Sequence, residues 1–180
     1  MYLKEVVYIF IKLCYCFIII NMALNKDKYK NAILYFIKYC NNKYLGATKL
    51  NKLLYYLDFI NYRDRENSVT GDFYIHNHYG PTPNEVNSVI SEMAENKEIE
   101  IKKDPFEDSH TITFKTLKDL DEKVFNKEEK ELLKNICKEF SDWSTDKIVE
   151  QTHLESPWFY SKPFEKVDYK YSSDIDFFED

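Results

Sequence analysis

Apolar residues recur at intervals of three and four along much of this chain, the spacing of helices that bury one face. Four such stretches cover residues 29–40, 50–60, 86–93 and 132–140. In the second stretch Lys49, Lys52 and Asp58 fall mainly outside the apolar stripe, so we expect these polar side chains on the solvent side. The pattern predicts four amphipathic helices, and a further one follows from Ser144 to Thr152.

Polar residues at the predicted helix starts indicate where helices begin. Residues 82–85, with the sequence TPNE, combine a capping hydroxyl, a proline suited to the first turn and a carboxylate that completes a capping box. Residues 126–129, NKEE, form a second capping box, and Thr48 and Ser144 can each cap a helix. We therefore predict that the third helix begins at residue 83.

Alternation of polar and apolar residues predicts strands in three places. Residues 73–79 run up to a Gly-Pro pair, and residues 98–102 and 111–115 flank a turn-forming stretch, so these two should form a hairpin. Beyond Pro157 we expect a loop and one terminal turn. This order of elements, without a repeat or a linker, predicts a single α+β domain that is predominantly helical, with a small antiparallel β-sheet or hairpin.

The first twenty-one residues differ from the rest of the chain. Residues 6–20 are apolar except for Lys12, but a spanning helix needs about 20 apolar residues, and a secretory signal needs small residues before its cleavage point. Three interpretations stay open: a misassigned start with Met22 as the true first residue, an inner-membrane anchor, or an added core helix. We divide the chain into an N-terminal extension, residues 1–21, and a domain, residues 22–180.

Composition and net charge indicate a folded domain and disfavour one class of partner, nucleic acid bound without sequence preference. The chain is 44% hydrophobic and 31% charged, as folded domains are, and its net charge of −6 disfavours sequence-independent coating of nucleic acid. The four cysteines, Cys14, Cys16, Cys40 and Cys137, form neither a CxxC pair nor a dense disulfide framework. We expect a reducing compartment, hence the cytoplasm, or an inner-membrane tether if residues 6–20 act as an anchor.

Motifs for chemistry are sparse. With glycine only at positions 46, 71 and 80, the chain contains no GxGxxG or GxxxxGK[ST] loop, and it lacks a GxSxG elbow. His76 and His78 would share one face of a strand, but no ligand pair at metal-binding spacing lies nearby. His153 has no identifiable catalytic partner. We expect no catalytic residue, metal or cofactor.

Three blocks of sequence resemble the SocA-like antitoxins that carry the Panacea domain. Residues 49–58, KLNKLLYYLD, are similar to that family's KLxKLLYxxD helix. Residues 70–72, TGD, and residues 79–83, YGPTP, are similar to its TGD and YGPxP elements. Ser144 with Ile148, the pair Thr152-His153 and the pair Pro157-Trp158 are similar to its SxxxI, TH and PW elements.

The resemblance implies a non-catalytic antitoxin of a bacterial or phage toxin-antitoxin system, which binds a cognate protein toxin and blocks it. A proteolytic adaptor that hands the bound toxin to a protease complex is a further possibility that the resemblance raises. The surface expected to bind the partner combines an aromatic residue, a histidine and rigid backbone, and it comprises Tyr79, Gly80, Pro81, Thr82, Thr152, His153 and Trp158. A structural role for Gly80, Pro81 and Trp158 is the competing interpretation.

Two other functions stay open from the residues alone. A winged-helix-like transcriptional regulator could be built from three helices and a hairpin, but it needs a basic face. Lys97, Lys102 and Lys103 are the candidates, and Glu98 and Glu100 dilute their charge. The other function is an enzyme that uses His153 with an acidic partner, which would lose activity on His153→Ala.

Overall fold

One long helix, buried on nearly every side, lies at the centre of the fold. A computed structural model describes residues 23–40, 45–103 and 112–178. The central helix α2 (Ala47–Arg65) follows α1 (Lys26–Tyr39), and its residues from 52 to 61 are buried without interruption. A helix that is buried on all sides must be surrounded by other elements. The rest of the chain supplies them as strands β1 (Tyr74–Asn77) and β2 (Gly80–Pro83), helix α3 (Val86–Glu95), strands β3 (Ile99–Lys103) and β4 (Ile112–Thr116), helices α4 (Lys127–Phe140), α5 (Thr145–Leu154) and α6 (Ser156–Phe159), and strand β5 (Lys166–Val167).

Two small antiparallel sheets complete the domain. In the first, β1 is central and pairs with β2 on one side and β5 on the other, so that Tyr74 lies opposite both Pro83 and Val167. In the second, β3 and β4 form a hairpin with Ile101 opposite Phe114. Short 3₁₀ helices lie at Glu122–Val124 and Tyr169–Asp174, and the second packs against α2. The predicted class, a mostly helical α+β domain with small antiparallel sheets, is confirmed.

The start of α3 differs from the sequence prediction. Thr82 and Pro83 lie in strand β2, where Thr82 pairs with Ile75, and the helix begins only at Val86 with Glu85 as its N-cap residue. Proline is tolerated in an edge strand because the missing N–H leaves no ladder hydrogen bond unmade. The capping box predicted for residues 82–85 is therefore wrong, whereas the one at Asn126 and Glu129 is confirmed.

Two other local predictions are also wrong. Helix α2 has Gly46 rather than Thr48 at its N-cap. The segment beyond Pro157, expected to be a loop with one turn, contains α6, β5 and a 3₁₀ helix. Ile175 and Tyr169 of this segment are buried in the core, which explains why the segment is ordered by the fold rather than by its own periodicity.

The polar residues of α2 are inside the protein. Lys49, Lys52 and Asp58 are all at most 1% exposed, contrary to the prediction that they face solvent. Cys40 and Cys137 form a disulfide between the end of α1 and α4, with Cα atoms 4.8 Å apart although the residues are 97 positions apart in sequence. The positions of the two cysteines in the sequence could not predict this disulfide, because they come together only when α1 and α4 pack against each other.

Candidate partner-binding site

The motif-bearing segments meet at the turn between β1 and β2. The Nζ atom of Lys52 in α2 donates a hydrogen bond of 2.6 Å to the carbonyl oxygen of Pro81. Thr152 of α5 lies against the same turn, with its own hydroxyl bonded to the carbonyl oxygen of Val149 at 2.8 Å. Helices α2 and α5, which are distant in sequence, therefore both contact this turn and hold it in place.

Gly80 is required by this packing. Its φ angle is +87°, in the region that side chains with a Cβ rarely adopt. A Cβ added there would lie 2.5 Å from the hydroxyl oxygen of Thr152 and 3.0 Å from the Nζ atom of Lys52. The close approach of the turn to both side chains is therefore possible only with glycine.

Two histidines enclose the indole ring of Trp158. His76 from β1 and His153 from α5 stack on it with ring centroids 4.3 and 4.0 Å away. The indole Nε1 donates to the carbonyl oxygen of Asn77 at 3.3 Å, and the Nδ1 atom of His76 is 2.9 Å from the hydroxyl oxygen of Ser161. These contacts hold α6 against the β1–β2 turn.

Both stacked imidazoles favour the neutral form. Burial lowers the pKa of His76, and burial together with the nearby charge of Lys52 lowers the pKa of His153. The Nε2 atom of His153 is buried without a hydrogen-bond partner among the described residues. The ring therefore acts here as a flat packing surface for Trp158.

A buried carboxylate lies beside Lys52. Glu155 accepts hydrogen bonds of 2.8 Å from the hydroxyl groups of both Tyr55 and Tyr56. Burial raises the pKa of Glu155 to about 7, against the lowering effect of the two tyrosine hydroxyls. Burial likewise lowers the pKa of Lys52 to about 7, and Glu155 opposes that shift. A cavity of about 210 Å³, lined among others by Glu155, Asp174 and Asp176, opens next to this carboxylate.

The TGD element, residues 70–72, takes part in a buried hydrogen-bond network that stabilises the fold. Asp58 of α2 accepts hydrogen bonds from the backbone N–H groups of Val69 and Thr70 at 2.8 Å, from the Thr70 hydroxyl, and from the Tyr74 hydroxyl at 2.8 Å. Burial raises the pKa of Asp58 to about 6. Asp72 in turn accepts from the Tyr29 hydroxyl at 3.0 Å and from the Glu85 N–H at 2.9 Å. This network ties α1, α2 and the start of α3 together.

The seven residues expected at the partner surface separate into two groups. Gly80, Pro81 and Thr152 are buried, and each contributes to the contact between the turn and the helices. Thr82, His153 and Trp158 are half-buried, and Tyr79 is exposed. The structure brings all seven into one region, but only Tyr79 presents its full side chain to solvent.

Sequence reasoning missed three exposed aromatic residues in the same region. Phe159, Tyr160 and Phe164 follow Trp158 in the chain, and Phe164 has a left-handed backbone with φ of +65°. The density of aromatic residues beyond Pro157 was visible in the sequence, but nothing in their spacing separates exposed rings from buried ones.

The described residues offer little support for a metal site, a basic DNA-binding face or a membrane-spanning helix. Within residues 23–40, 45–103 and 112–178, no three His, Cys, Asp or Glu side chains are grouped so that they could hold a metal ion. On the hairpin, the Nζ atom of Lys102 is 3.9 Å from Glu100, and that of Lys118 is 2.8 Å from Glu98. No helix in these ranges is long and apolar enough to cross a membrane, and residues 6–20 lie outside them.

Fold and site together define a helical α+β domain whose sequence motifs build a rigid turn, backed by a buried lysine and a stacked tryptophan. Residues 50–159 match the family model described as antitoxin SocA-like, Panacea domain. The chain belongs to this antitoxin family. No curated protein and no solved structure matches the chain significantly.

Proposed function

We propose that this protein is the antitoxin of a toxin-antitoxin pair and that it neutralises its cognate protein toxin by direct binding. The family match over residues 50–159 carries this proposal. The exposed aromatic residues around Trp158 support it, because aromatic side chains are enriched where proteins bind each other. The partner is a protein encoded beside this one, and the proposed place of the interaction is the cytoplasm. The Cys40–Cys137 disulfide is the observation that opposes this location, because disulfides are rare in a reducing compartment.

Co-expression with the adjacent open reading frame tests the proposal. That frame alone should arrest growth, and growth should recover when this chain is expressed with it. A frameshifted copy of this gene is the matched control and should give no recovery. The proposal fails if the neighbouring frame is harmless alone, or if it stays lethal beside the intact chain.

A purified system separates blocking from proteolytic delivery. If binding alone neutralises the toxin, one equivalent of this protein should abolish toxin activity with no protease present. An adaptor would instead leave the toxin active until a protease is added and would then cause its loss. Titration of toxin activity against added antitoxin, with and without a cell extract, distinguishes the two routes.

We further propose that the protein acts without catalysis. His153 is the residue that an enzyme would most plainly need, and here its ring stacks on Trp158. His153→Phe keeps a flat ring for that stack and removes the transferable proton, so neutralisation should persist. Loss of neutralisation in a variant that still binds the toxin and has an unchanged thermal midpoint would favour the enzyme instead.

A further inference from the structure

Four exposed aromatic side chains surround the β1–β2 turn and α6, and we call them the aromatic face. Tyr79 is 62% exposed, Phe159 67%, Tyr160 60% and Phe164 81%. Of the other described large apolar side chains that are exposed, those of Tyr39, Ile101 and Leu117 lie on α1 and at the hairpin, and that of Leu154 lies at the end of α5, next to α6. The aromatic face is therefore a local concentration of apolar surface rather than a general property of the chain.

Hydrogen bonds tie the segments that carry these rings to one another. The indole of Trp158, next to Phe159, donates to Asn77 at 3.3 Å, just before Tyr79. The backbone N–H of Phe164 donates to the carbonyl oxygen of His76 at 2.9 Å, and the N–H of His76 donates to Glu165 at 2.9 Å. The face is thus held in place before any partner arrives, which reduces the ordering cost of binding.

Phe164 gives an independent reason to assign a function to this face. Its φ angle of +65° is unfavourable for a side chain with a Cβ, and its ring is almost fully exposed, so the core gains nothing from phenylalanine there. Strained positions of this kind are concentrated at binding and active sites. Glu66, Lys97 and Phe178 also have a positive φ, and Phe164 differs from them because it presents an aromatic ring almost entirely to solvent.

The side chains next to Phe164 carry a positive excess, whereas the whole protein is negative. The chain has a net charge of −6. Lys162 and Lys166 flank Phe164 and are exposed, with the carboxylate of Glu165 between them. On the other side of α6, Asp174 accepts a hydrogen bond of 2.7 Å from the hydroxyl of Ser156, so the positive charge is confined to the Phe164 side. Asp168, the next acid along the chain, is paired with Lys170 at 3.0 Å. A partner with carboxylates opposite Lys162 and Lys166 would be attracted at this side of the face.

We propose that the aromatic face is the toxin-binding surface, and that the toxin presents to it an apolar centre with acidic residues on the side that meets Lys162 and Lys166. This inference rests on the proposed antitoxin function and specifies where binding occurs and with what chemistry. The aromatic rings supply the buried contact at the centre, and Lys162 and Lys166 supply the complementary charge at the edge.

The test uses the purified product of the adjacent gene as the probe and measures its Kd for the full chain. The double variant Phe159→Ala/Phe164→Ala should bind at least about tenfold more weakly, as expected when central aromatic contacts are removed. The matched control, Tyr39→Ala/Leu117→Ala, removes exposed apolar side chains elsewhere and should bind like the unmodified chain. Equal affinity of the first variant and the unmodified chain overturns the proposal.

Phe164→Gly separates binding from folding. Glycine suits the positive φ, so the thermal midpoint should be unchanged or higher, while the affinity should fall. A variant that is more stable and binds as tightly as the unmodified chain would show that Phe164 is not a contact, which contradicts the proposal.

Charge reversal tests the chemistry of the partner. Lys162→Glu/Lys166→Glu should reduce the association rate constant by at least about threefold at low salt, with a smaller effect at high salt. Lys115→Glu/Lys123→Glu alters two exposed lysines elsewhere and is the matched control. A faster association of the first variant would mean that the toxin is basic at this contact, which overturns the acidic-partner part of the proposal.

The outcomes also distinguish this inference from the function on which it depends. If the unmodified chain neither binds the probe nor relieves its toxicity, the antitoxin proposal fails and the surface assignment fails with it. If the unmodified chain does both, and the aromatic-face variants do so equally well, only the surface assignment fails.

Discussion

Individual motif residues in this protein mostly support one another rather than a ligand. Lys52 reaches the carbonyl oxygen of Pro81, Gly80 makes room for Lys52 and Thr152, and Asp58 satisfies the N–H groups of residues 69 and 70. A buried charged group is costly unless its hydrogen bonds are satisfied, so each of these residues depends on its neighbours. Substitution at any of them should be felt first as lost stability.

Gly80→Ala should lower the free energy of unfolding by about 2–4 kcal/mol, because it combines an unfavourable φ with overpacking against Thr152 and Lys52. Urea denaturation followed by circular dichroism measures the change. In the double variant Gly80→Ala/Thr152→Ala, the nearest contact is removed, so part of the loss should be recovered. A Gly80→Ala variant as stable as the unmodified chain would contradict the close approach described here.

Glu155 makes stability depend on pH in an unusual direction. Burial raises its pKa to about 7 from the ordinary 4.5, so between these values the folded chain binds more protons at this group than the unfolded chain. Stability from this carboxyl is therefore fully present below about pH 4.5 and is lost as pH rises toward 7. Lys52 contributes little to this window, because its lowered pKa of about 7 leaves it mainly protonated in both states below that value.

Glu155→Gln removes this titration while retaining an oxygen that can accept a hydrogen bond from a tyrosine. The unfolding free energy of the unmodified chain should therefore fall by on the order of 3 kcal/mol more than that of the variant between pH 4.5 and pH 7.5. Urea titrations at several pH values give both curves. Parallel curves would show that Glu155 has an ordinary pKa.

At the scale of elements, periodicity predicted more than local capping did. The helices over residues 29–40 and 132–140 and the hairpin were predictable, because apolar residues recur in each at the interval of its secondary structure. The strand at residues 80–83 was not, because the TPNE sequence favours a helix start locally and only pairing with β1 overrides that preference. The burial of Lys49 and Lys52 was equally hidden, since the carbonyl groups that receive them come from distant segments.

The candidate site was predictable only in part, for the same reason. The motifs around Gly80 and Trp158 located the right region of the molecule. They did not indicate which residues face solvent, because Phe159, Tyr160 and Phe164 follow no regular spacing. Exposure there depends on α6 and strand β5, and β5 forms only through pairing with β1.

The disulfide joins two elements and should stabilise the fold against unfolding. Closing a loop of 97 residues between Cys40 and Cys137 contributes roughly 4.7 kcal/mol in the chain-entropy account. For a chain of this length, that corresponds to a fall of about 10–15 °C in thermal midpoint on reduction. Differential scanning calorimetry with and without a phosphine reductant measures it. Cys40→Ser/Cys137→Ser should melt at the same temperature in both buffers, and an unmodified chain equally indifferent to reductant would contradict the pairing.

At the scale of the whole molecule, the site exists only when the complete domain is folded. Its parts come from α2, the β1–β2 turn, α5 and α6, and the core beneath them is one cluster that extends from Tyr29 to Ile175. Tyr55 and Glu155, which are about a hundred residues apart in sequence, meet only when both segments are folded, so a partly folded chain does not form the site. The protein should therefore unfold in a single cooperative step.

The two tryptophans allow this to be measured at both ends of the core. Trp143 packs against Phe140 at the end of α4, whereas Trp158 lies between two histidines at the β1–β2 turn. Trp158→Phe leaves fluorescence from Trp143 alone, and Trp143→Phe leaves it from Trp158 alone. In each variant the urea transition seen by fluorescence should coincide with that seen by far-ultraviolet circular dichroism, with the same slope. If Trp158 instead reported a transition at lower urea than the backbone, the turn and α6 would unfold before the rest of the domain. The partner surface could then be lost while the core is still folded.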